Sequence, residues 1–339
     1  MEPRDIVLNQ FKHIETEEVP YVLRLEPENE DGLDLHYGKG WRDKIKTYIN
    51  RPFAIDSTGQ RPIGGGYDID HFGAVWNMKT GVPHHERVAL PSPSFKGYEF
   101  PALDTFIEPL ERVKAKDKGF ESMREYSHSA QMIVMNWGIF EQTWRIRGYE
   151  NALCDMIEET DFFEELVGKL TELYIGFVRY CADFPADAIF VGDDWGVQRG
   201  LVMSAGHWRR FFKPAWKKVY EEIHKQGKYI VSHCCGGVAE IIPDIIEIKM
   251  DMLESVQPEA VGMNPYHLKE KYGDALGFHG GLGNQSTIQF GTPEEIRTEI
   301  RRLKTEMSKN GGYVLAAAKS VQAGVPIENL IAIFEEFAG

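Results

Sequence analysis

Six short apolar runs occur beyond residue 120, and their length and composition are typical of buried strands. Amphipathic stretches long enough for helices separate them along the chain. This alternation predicts parallel βα units, because a helical crossover is needed to bring successive strands side by side in the same direction. The runs are Met132–Trp137, Ala188–Gly192, Tyr229–Ser232, Met252–Val256, Leu276–His279 and Tyr313–Ala316.

The clearest helix signal begins at Thr292. This residue is a good N-cap, a proline follows at the first helical position, and Glu295 completes the pattern of a capping box. Apolar residues then recur at spacings of four, three and four, which predicts one buried stripe. Asp161–Tyr180 shows a similar period, and so does Trp208–Gln226, where we expect Pro214 to kink or restart the helix.

The number and order of these units favour a (β/α)8 TIM barrel over a doubly wound sheet. A doubly wound sheet would normally carry a glycine-rich nucleotide loop after an early strand, and the chain has neither G-x-G-x-x-G nor a Walker lysine loop. Residues 1–50 are acidic and weakly patterned, and we interpret them as an N-terminal extension. Residues 51–339 form the predicted single barrel domain, with an irregular Gly- and Pro-rich insertion at 61–101 that we expect to line the barrel mouth.

Composition narrows the class of protein. The 339 residues are 42% hydrophobic and 27% charged, as in ordinary globular chains, and the formal charge of −14 argues against nucleic acid or an anionic membrane as partner. No apolar window approaches about 18 residues, and the N-terminus lacks the apolar core of a signal peptide. Four cysteines are too few for a disulfide framework, so we expect a cytoplasmic protein.

Polar residues follow several of the predicted strands, at the end of a parallel barrel where active sites form. Asp193 and Asp194 come directly after one run, and His233 and Cys235 after the next. The functional interpretation of these aspartates is a general acid, a metal ligand or a hydrogen-bond acceptor for a polar ligand, and the alternative is loop capping. The pair is consistent with one residue of each kind. His279 and Lys319 follow the last two runs.

His233 and Cys235 are the most specific candidate pair of metal ligands in the sequence. Alternate residues of an extended chain point the same way, and imidazole with thiolate is a common zinc ligand set. A third ligand must come from another strand, and Asp193 or Asp194 is the candidate oxygen donor. The alternative is that Cys235 is a small buried residue and His233 binds substrate without any metal.

The chain resembles the uroporphyrinogen decarboxylase superfamily from about residue 50 to its C-terminus. This resemblance implies a (β/α)8 barrel with its cleft at the carboxyl ends of the strands. The motifs that carry it are DIDHFGAVW (68–76), GYEFPALD (97–104), GIFEQTWRIRGYENALCDMIEE (138–159), FVGDDWGVQRG (190–200), HCCGG (233–237), SVQP (255–258), GGLGNQSTIQFGTPEEI (280–296) and GGYVLAAAKSVQAGVPIENL (311–330).

Within this superfamily the chain is closer to the corrinoid-dependent methyltransferases than to the true decarboxylases. The decarboxylases carry an Arg-Gln-Ala-Gly-Arg signature that binds substrate carboxylates, and residues 20–70 contain no equivalent. His233-x-Cys235 matches the His-x-Cys metal motif of the methyltransferases. Their third ligand, a cysteine, aligns with Lys319, and a protonated lysine cannot coordinate zinc. Either a carboxylate such as Asp194 completes the set or no metal binds.

We therefore expect a methyltransferase that takes a methyl group from a small substrate, an aromatic methyl ether in the leading hypothesis, and passes it to a corrinoid partner protein. The partner supplies the corrinoid because the chain lacks a D-x-H-x-x-G motif. Zinc is the expected metal, and a homodimer is a candidate assembly. The predicted catalytic residues are Asp193, Asp194 and Lys319, and the predicted metal ligands are His233, Cys235 and Asp194.

Substrate contacts are assigned to residues near the same strand ends. Gln198 and Gln257 are candidates for polar contacts, and Trp195, with Phe190, Phe278 and Trp137, for an aromatic slot. Two alternatives from other classes remain. One is a lyase or decarboxylase acting on a small carboxylic acid, anchored by Lys319 or Arg145, and the other is a ligand-binding barrel without catalysis. The predicted substrate-binding set is Glu141, Trp195, Gln198, Gln257 and His279.

Overall fold

The computed structural model describes residues 1–112 and 115–339, and a sheet of eight parallel strands lies at its centre. The six predicted strands are confirmed, with ends shifted by up to three residues. Four of the eight strands are buried along their whole length, which explains why they read as apolar runs rather than as alternating patterns. The strands are β1 (Tyr21–Val22), β2 (Ile49–Ile55), β3 (Ala130–Met135), β4 (Ala188–Gly192), β5 (Tyr229–His233), β6 (Met252–Val256), β7 (Gly277–Leu282) and β8 (Tyr313–Ala317).

The strand order is that of a (β/α)8 barrel, and the predicted fold class is confirmed. From β2 to β8 each strand pairs with the next one along the chain, and β1 pairs with β8. Side chains join the two edge strands, since the Tyr21 ring of β1 packs on Tyr48, just before β2, at 5.0 Å between centroids. The backbone N–H of Lys46 also donates to the Tyr21 hydroxyl at 2.9 Å. The sheet therefore curls back on itself.

The predicted N-terminal extension contributes to this sheet. Tyr21 and Val22 form β1 and lie opposite Leu315 and Ala316 of β8. A two-residue strand is too short to show any alternation of apolar and polar positions, so its pattern gives no signal. Part of the predicted extension thus belongs to the barrel sheet.

Helices cover the outside of the sheet. The Thr292 capping box is present, with the Glu295 N–H donating to the Thr292 hydroxyl at 3.3 Å and the Thr292 N–H donating to the Glu295 carboxylate at 2.7 Å. As expected, the helix at Pro214 restarts, because the turn Trp208–Phe212 has wider π-helical bonding. The α-helices of six or more residues are Pro3–Phe11, Pro27–Tyr37, Leu103–Arg112, Ala115–Glu125, Ile139–Arg147, Tyr149–Glu158, Thr160–Tyr180, Lys213–Lys225, Ile242–Glu247, Pro265–Tyr272, Pro293–Glu306 and Ile327–Ala338. None of the helices in the described ranges is both long and apolar enough to cross a membrane.

The insertion at 61–101 contains a four-stranded antiparallel sheet, formed by Arg61–Gly64, Tyr67–Ile69, Val75–Asn77 and His84–Arg87. It packs on the helix that follows β3. In that helix the Arg145 guanidinium lies 4.1 Å above the Trp76 ring, and a ring nitrogen of His85 lies 2.7 Å from the Arg145 carbonyl oxygen. The insertion is therefore on the carboxyl-terminal side of the barrel, beside the helix Ile139–Arg147.

Three polar residues share one level of the barrel. Pairing in register places His233 of β5 opposite Glu254 of β6, and Glu254 opposite His279 of β7. Residues directly opposite one another in a sheet point to the same face. His233 is the last residue of β5, whereas Glu254 and His279 lie within β6 and β7, so this level is inside the barrel, just below the predicted site.

Candidate functional site

The structure brings three of the predicted site residues together at the ends of β4 and β5. The Cys235 sulfur lies 3.1 Å from His233 Nε2, and His233 Nε2 lies 3.5 Å from an Asp194 carboxylate oxygen. One ligand atom from each residue falls within 4.8 Å of the others. Imidazole nitrogen, thiolate sulfur and carboxylate oxygen are all zinc ligands, so this donor set fits a zinc ion with three protein ligands and an open position.

Backbone contacts hold the two loops of this cluster against each other. The Cys235 N–H donates to Asp194 Oδ1 at 2.8 Å, which orients the carboxylate toward the histidine and the cysteine. Gly196 makes the close approach of the loops possible, since a Cβ at that position would lie 2.5 Å from the Cys235 carbonyl oxygen. Any larger residue there would push the loop that carries Asp194 away from the loop that carries Cys235.

Glu254 holds the other side of the His233 ring, and sequence reasoning missed it. Its carboxylate accepts a hydrogen bond from His233 Nδ1, which leaves Nε2 facing Cys235 and Asp194. Such a carboxylate partner is typical of histidines that bind metal through their second nitrogen. The one signal in the sequence is that Glu254 is the charged residue within the apolar run Met252–Val256.

The charges of Glu254 and His233 shift each other's pKa. Burial alone would raise the pKa of Glu254, but the charge of His233 and its hydrogen bond outweigh burial, and the pKa lies well below its ordinary value. Burial likewise opposes protonation of His233, yet Glu254 and the contact with Cys235 raise the pKa of the imidazole well above its ordinary value. A metal ion bound at Nε2 would therefore displace a proton that the metal-free site retains.

Asp193, a predicted catalytic residue, lies in the core instead of facing the site. It is fully buried, and its carboxylate accepts backbone hydrogen bonds from Phe140 at 3.1 Å and Glu141 at 3.0 Å. The indole N–H groups of Trp195 and Trp216 donate to the same carboxylate at 2.8 and 2.9 Å. Burial raises the pKa of Asp193 to about 7, against these four hydrogen bonds. Its place is that of an N-terminal cap for the helix Ile139–Arg147, which is the capping alternative that the sequence left open.

Trp195 also differs from its predicted role. The ring is fully buried, and it packs edge-on against Trp208 at 5.2 Å between centroids. Its hydrogen bond to Asp193 explains this, because it draws the indole inward from the strand end. Phe190 and Phe278 are core residues too, so the expected aromatic slot does not form around them.

Glu141 lies at the start of the same helix, where its carboxylate accepts a hydrogen bond from the Gly138 N–H at 3.1 Å. Burial raises its pKa to about 8, with further increases from the charges of Asp193 and Asp194. The nearby Arg145 forms its ion pair with Asp70, at 3.8 Å. Glu141 thus interacts electrostatically with Asp193 and Asp194, and it holds a proton near neutral pH.

A cavity of about 430 Å³ opens beside Cys235 at the carboxyl ends of β4 to β8. Gln198, Gln257 and Lys319, all predicted to contact substrate or reacting groups, lie in its wall with Cys235. Most of the remaining wall comes from residues after β7 and β8 that sequence reasoning did not assign. Lys319 is the charged side chain of the wall, and the carboxamides there are Gln198, Gln257, Asn284, Gln285, Gln289 and Gln322.

His279 lies inside the barrel rather than in the cavity wall. It is fully buried, and among the described residues neither of its ring nitrogens has a hydrogen-bond partner. Burial lowers its pKa to about 3, so the ring is neutral. The predicted end of this strand was three residues too early, because β7 continues beyond His279 to Leu282, and the imidazole is therefore below the mouth of the barrel.

Comparison with known proteins gives consistent matches. The family model described as Uroporphyrinogen decarboxylase (URO-D) matches residues 108–338. A uroporphyrinogen decarboxylase from Bacillus cereus is 24% identical over 170 residues, which are 50% of this chain and 45% of that protein. One from Thermus thermophilus is 24% identical over 182 residues, 53% of this chain and 49% of that protein. The matched region thus spans about half the length of these curated relatives.

A solved structure matches over nearly the whole chain. It is a methyltransferase from Methanosarcina mazei, which aligns with a TM-score of 0.71 at 18% sequence identity and covers 99% of this chain and 98% of that one. At this identity the likeness shows a shared fold. It extends the match to residues 1–107, which precede the region found by the family model.

Proposed function

This chain belongs to the uroporphyrinogen decarboxylase family, and from that premise we propose that it is a zinc-dependent methyltransferase. Its methyl donor is a small methylated compound, an aromatic methyl ether in the leading hypothesis, and its acceptor is the corrinoid of a partner protein. One observation carries the proposal. His233, Cys235 and Asp194 form a zinc-type donor set, and Cys235 lies in the wall of a cavity of small-molecule size.

The chemistry of an ether explains why such a site is needed. When the carbon–oxygen bond breaks, its electron pair stays on oxygen. The methyl carbon must therefore form its new bond with an electron pair from a strong nucleophile, which in this proposal is the corrinoid of the partner protein. A zinc ion bound near that oxygen would stabilise its developing negative charge. Lys319 supplies a second positive charge in the cavity wall, and Gln198 and Gln257 supply hydrogen bonds that orient a polar donor.

The orientation of the ligands before substrate binds also supports methyl transfer. Glu254 and the backbone N–H of Cys235 orient His233 and Asp194 before any substrate arrives. Preorganised ligands lower the cost of reaching the transition state, because they do not have to rearrange as charge develops. The solved structure of similar fold is a methyltransferase, which agrees with this proposal.

Decarboxylation of a porphyrinogen is the less favourable assignment. Such a substrate carries many carboxylates, whereas Lys319 is the charged side chain in the cavity wall and the chain has a formal charge of −14. A lyase acting on a small carboxylic acid is the second candidate, because Lys319 can bind one carboxylate. Arg145 is unsuitable for that role, since it is buried between the rings of Trp76 and Trp137.

The test combines metal analysis with a methyl-transfer assay. Purified protein should contain about one zinc per chain, and with cob(I)alamin it should demethylate one or more members of a panel of methoxylated aromatic compounds. Cys235→Ser should lose both properties, whereas Cys154→Ser, at an exposed cysteine, should keep both. Conversion of a carboxylic acid without any corrinoid would support the lyase, and a metal-free protein that still transfers methyl groups would refute the zinc proposal.

A further inference from the structure

Glu254 is a buried carboxylate with two partners, and each partner binds a different oxygen. One oxygen accepts the hydrogen bond from His233 Nδ1, and the other lies 3.1 Å from an Arg24 guanidinium nitrogen. The Glu254 side chain is 7% exposed, so its negative charge is almost fully withdrawn from water. A buried charge of this kind requires a cation or several hydrogen-bond donors to remain ionised.

The backbone of Arg24 is anchored although this residue belongs to the irregular segment after β1. Its carbonyl oxygen accepts a hydrogen bond from the Val321 N–H at 2.9 Å, and Leu25 forms an isolated parallel bridge with Val321. The loop after β8 thus fixes the backbone from which the guanidinium reaches across to β6. This contact joins residues that are 230 positions apart in the sequence.

Arg51 is a second arginine near Glu254, but its geometry differs. It lies over the Phe190 ring at 4.7 Å, and its buried Nη2 atom has no hydrogen-bond partner among the described residues. Burial lowers the pKa of Arg51 to about 10, with a further decrease from the charge of Arg24. Within the described part of the chain, Arg24 is therefore the guanidinium that forms an ion pair with Glu254.

We propose that Arg24 is a positioning residue for the metal site and that it acts through Glu254. Arg24 binds the second carboxylate oxygen of Glu254 and so fixes the orientation of that carboxylate. Glu254 in turn holds Nδ1 of His233, so that Nε2 faces Cys235 and Asp194. The inference rests on the metal site of the proposed function. It links the metal ligands to the edge strand β1, which the family model does not reach.

A merely structural ion pair is the alternative, and the chain offers a matched example. Arg4 binds Asp187 at 2.7 Å with side chains 49% and 9% exposed, against 39% and 7% for Arg24 and Glu254. Asp187 immediately precedes β4, so this pair lies at the opposite end of the barrel from the metal ligands. Arg4→Met therefore measures the effect of losing a similar ion pair on stability alone.

The experiment measures binding of Co²⁺ to metal-free protein, using the visible absorption of the bound ion. Four forms make a double-mutant cycle: the unmodified chain, Arg24→Met, Glu254→Gln and the double variant. Removing a residue that orients a metal ligand typically weakens metal binding by about 10–100-fold, so each single variant should lose affinity on that scale. If Arg24 acts through Glu254, the double variant should bind Co²⁺ about as weakly as Glu254→Gln.

Two further variants keep the outcome decisive. Arg24→Lys retains the positive charge and should recover most of the affinity, and Arg24→Gln replaces the methionine variant if that one fails to fold. Unchanged Co²⁺ affinity in Arg24→Met, or losses that simply add in the double variant, would overturn the proposal while leaving the zinc site intact. If the unmodified chain binds no Co²⁺, the metal of the proposed function is wrong, and the role of Arg24 falls with it.

Discussion

Gly138 and Asp193 are so close that a Cβ on Gly138 would lie 2.3 Å from the Asp193 Cβ. The missing side chain lets the Asp193 carboxylate reach the first N–H groups of the helix Ile139–Arg147, at Phe140 and Glu141. Asp193 therefore determines where that helix starts relative to β4. Its neighbour Asp194 is left free to turn toward His233.

Asp193→Asn tests this structural role. The amide presents an NH2 group where the carboxylate oxygen accepted N–H donors, so at least one of these donors loses its partner. We expect the free energy of unfolding to fall by about 1–3 kcal/mol for each unsatisfied buried donor. Urea denaturation followed by tryptophan fluorescence measures the change. Full stability combined with loss of turnover would instead make Asp193 a catalytic residue.

Cys235→Ser tests the metal ligand set. A thiolate is replaced by a weak ligand of similar size, so bound zinc should drop strongly while the far-UV circular dichroism stays unchanged. Cys234→Ala is the matched control from the adjacent position, where the fully buried sulfur accepts a hydrogen bond from the Trp195 N–H at 3.1 Å. That variant should lose stability but keep its zinc. Equal zinc content in the two variants would reject Cys235 as a ligand.

The raised pKa of Glu141 predicts a pH dependence of stability in the metal-free protein. Folded Glu141 keeps its proton up to about pH 8, whereas the unfolded chain releases it near its ordinary value of 4.5. The folded state therefore binds more protons between these values, and the free energy of unfolding falls as the pH rises through this window. Glu141→Gln has no proton to lose. Its free energy of unfolding, measured by denaturation at several pH values, should therefore fall less steeply with pH than that of the unmodified chain. An unchanged slope would mean that Glu141 is ionised in the folded protein.

Lys319→Met tests whether this cation acts in the transition state. If the ammonium stabilises charge that appears only as the bond breaks, turnover should fall more than substrate affinity. The loss should be about a hundredfold, the scale for removing one preorganised donor. Lys309→Met is the control at another exposed lysine, away from the cavity wall. Full turnover in Lys319→Met would leave the lysine without a catalytic role, and loss of zinc would mean that it coordinates the metal.

The sequence by itself determined the features that depend on local pattern. Buried parallel strands are apolar along their whole length, so β4 and β6 were placed without error at their ends. The capping box at Thr292 and the pairing of His233 with Cys235 also depend on spacings of two or three residues, which remain readable along the chain. The alternation of strands and helices favoured the barrel, and the family resemblance agreed with it.

Tertiary structure decided which of several similar residues reach the site. Asp193 and Asp194 are adjacent and chemically identical. Donors from elsewhere in the fold, among them the Phe140 N–H 53 residues away, hold Asp193 in the core, whereas Asp194 lies beside His233. Glu254 contacts His233, 21 residues before it, and Arg24 contacts Glu254 across 230 residues, and no local pattern records either contact. Side-chain direction beyond a strand end depends on such distant hydrogen bonds, because the regular alternation of the strand no longer applies there. For this reason the sequence could locate the chemistry at the strand ends, whereas the fold selected the residues that carry it.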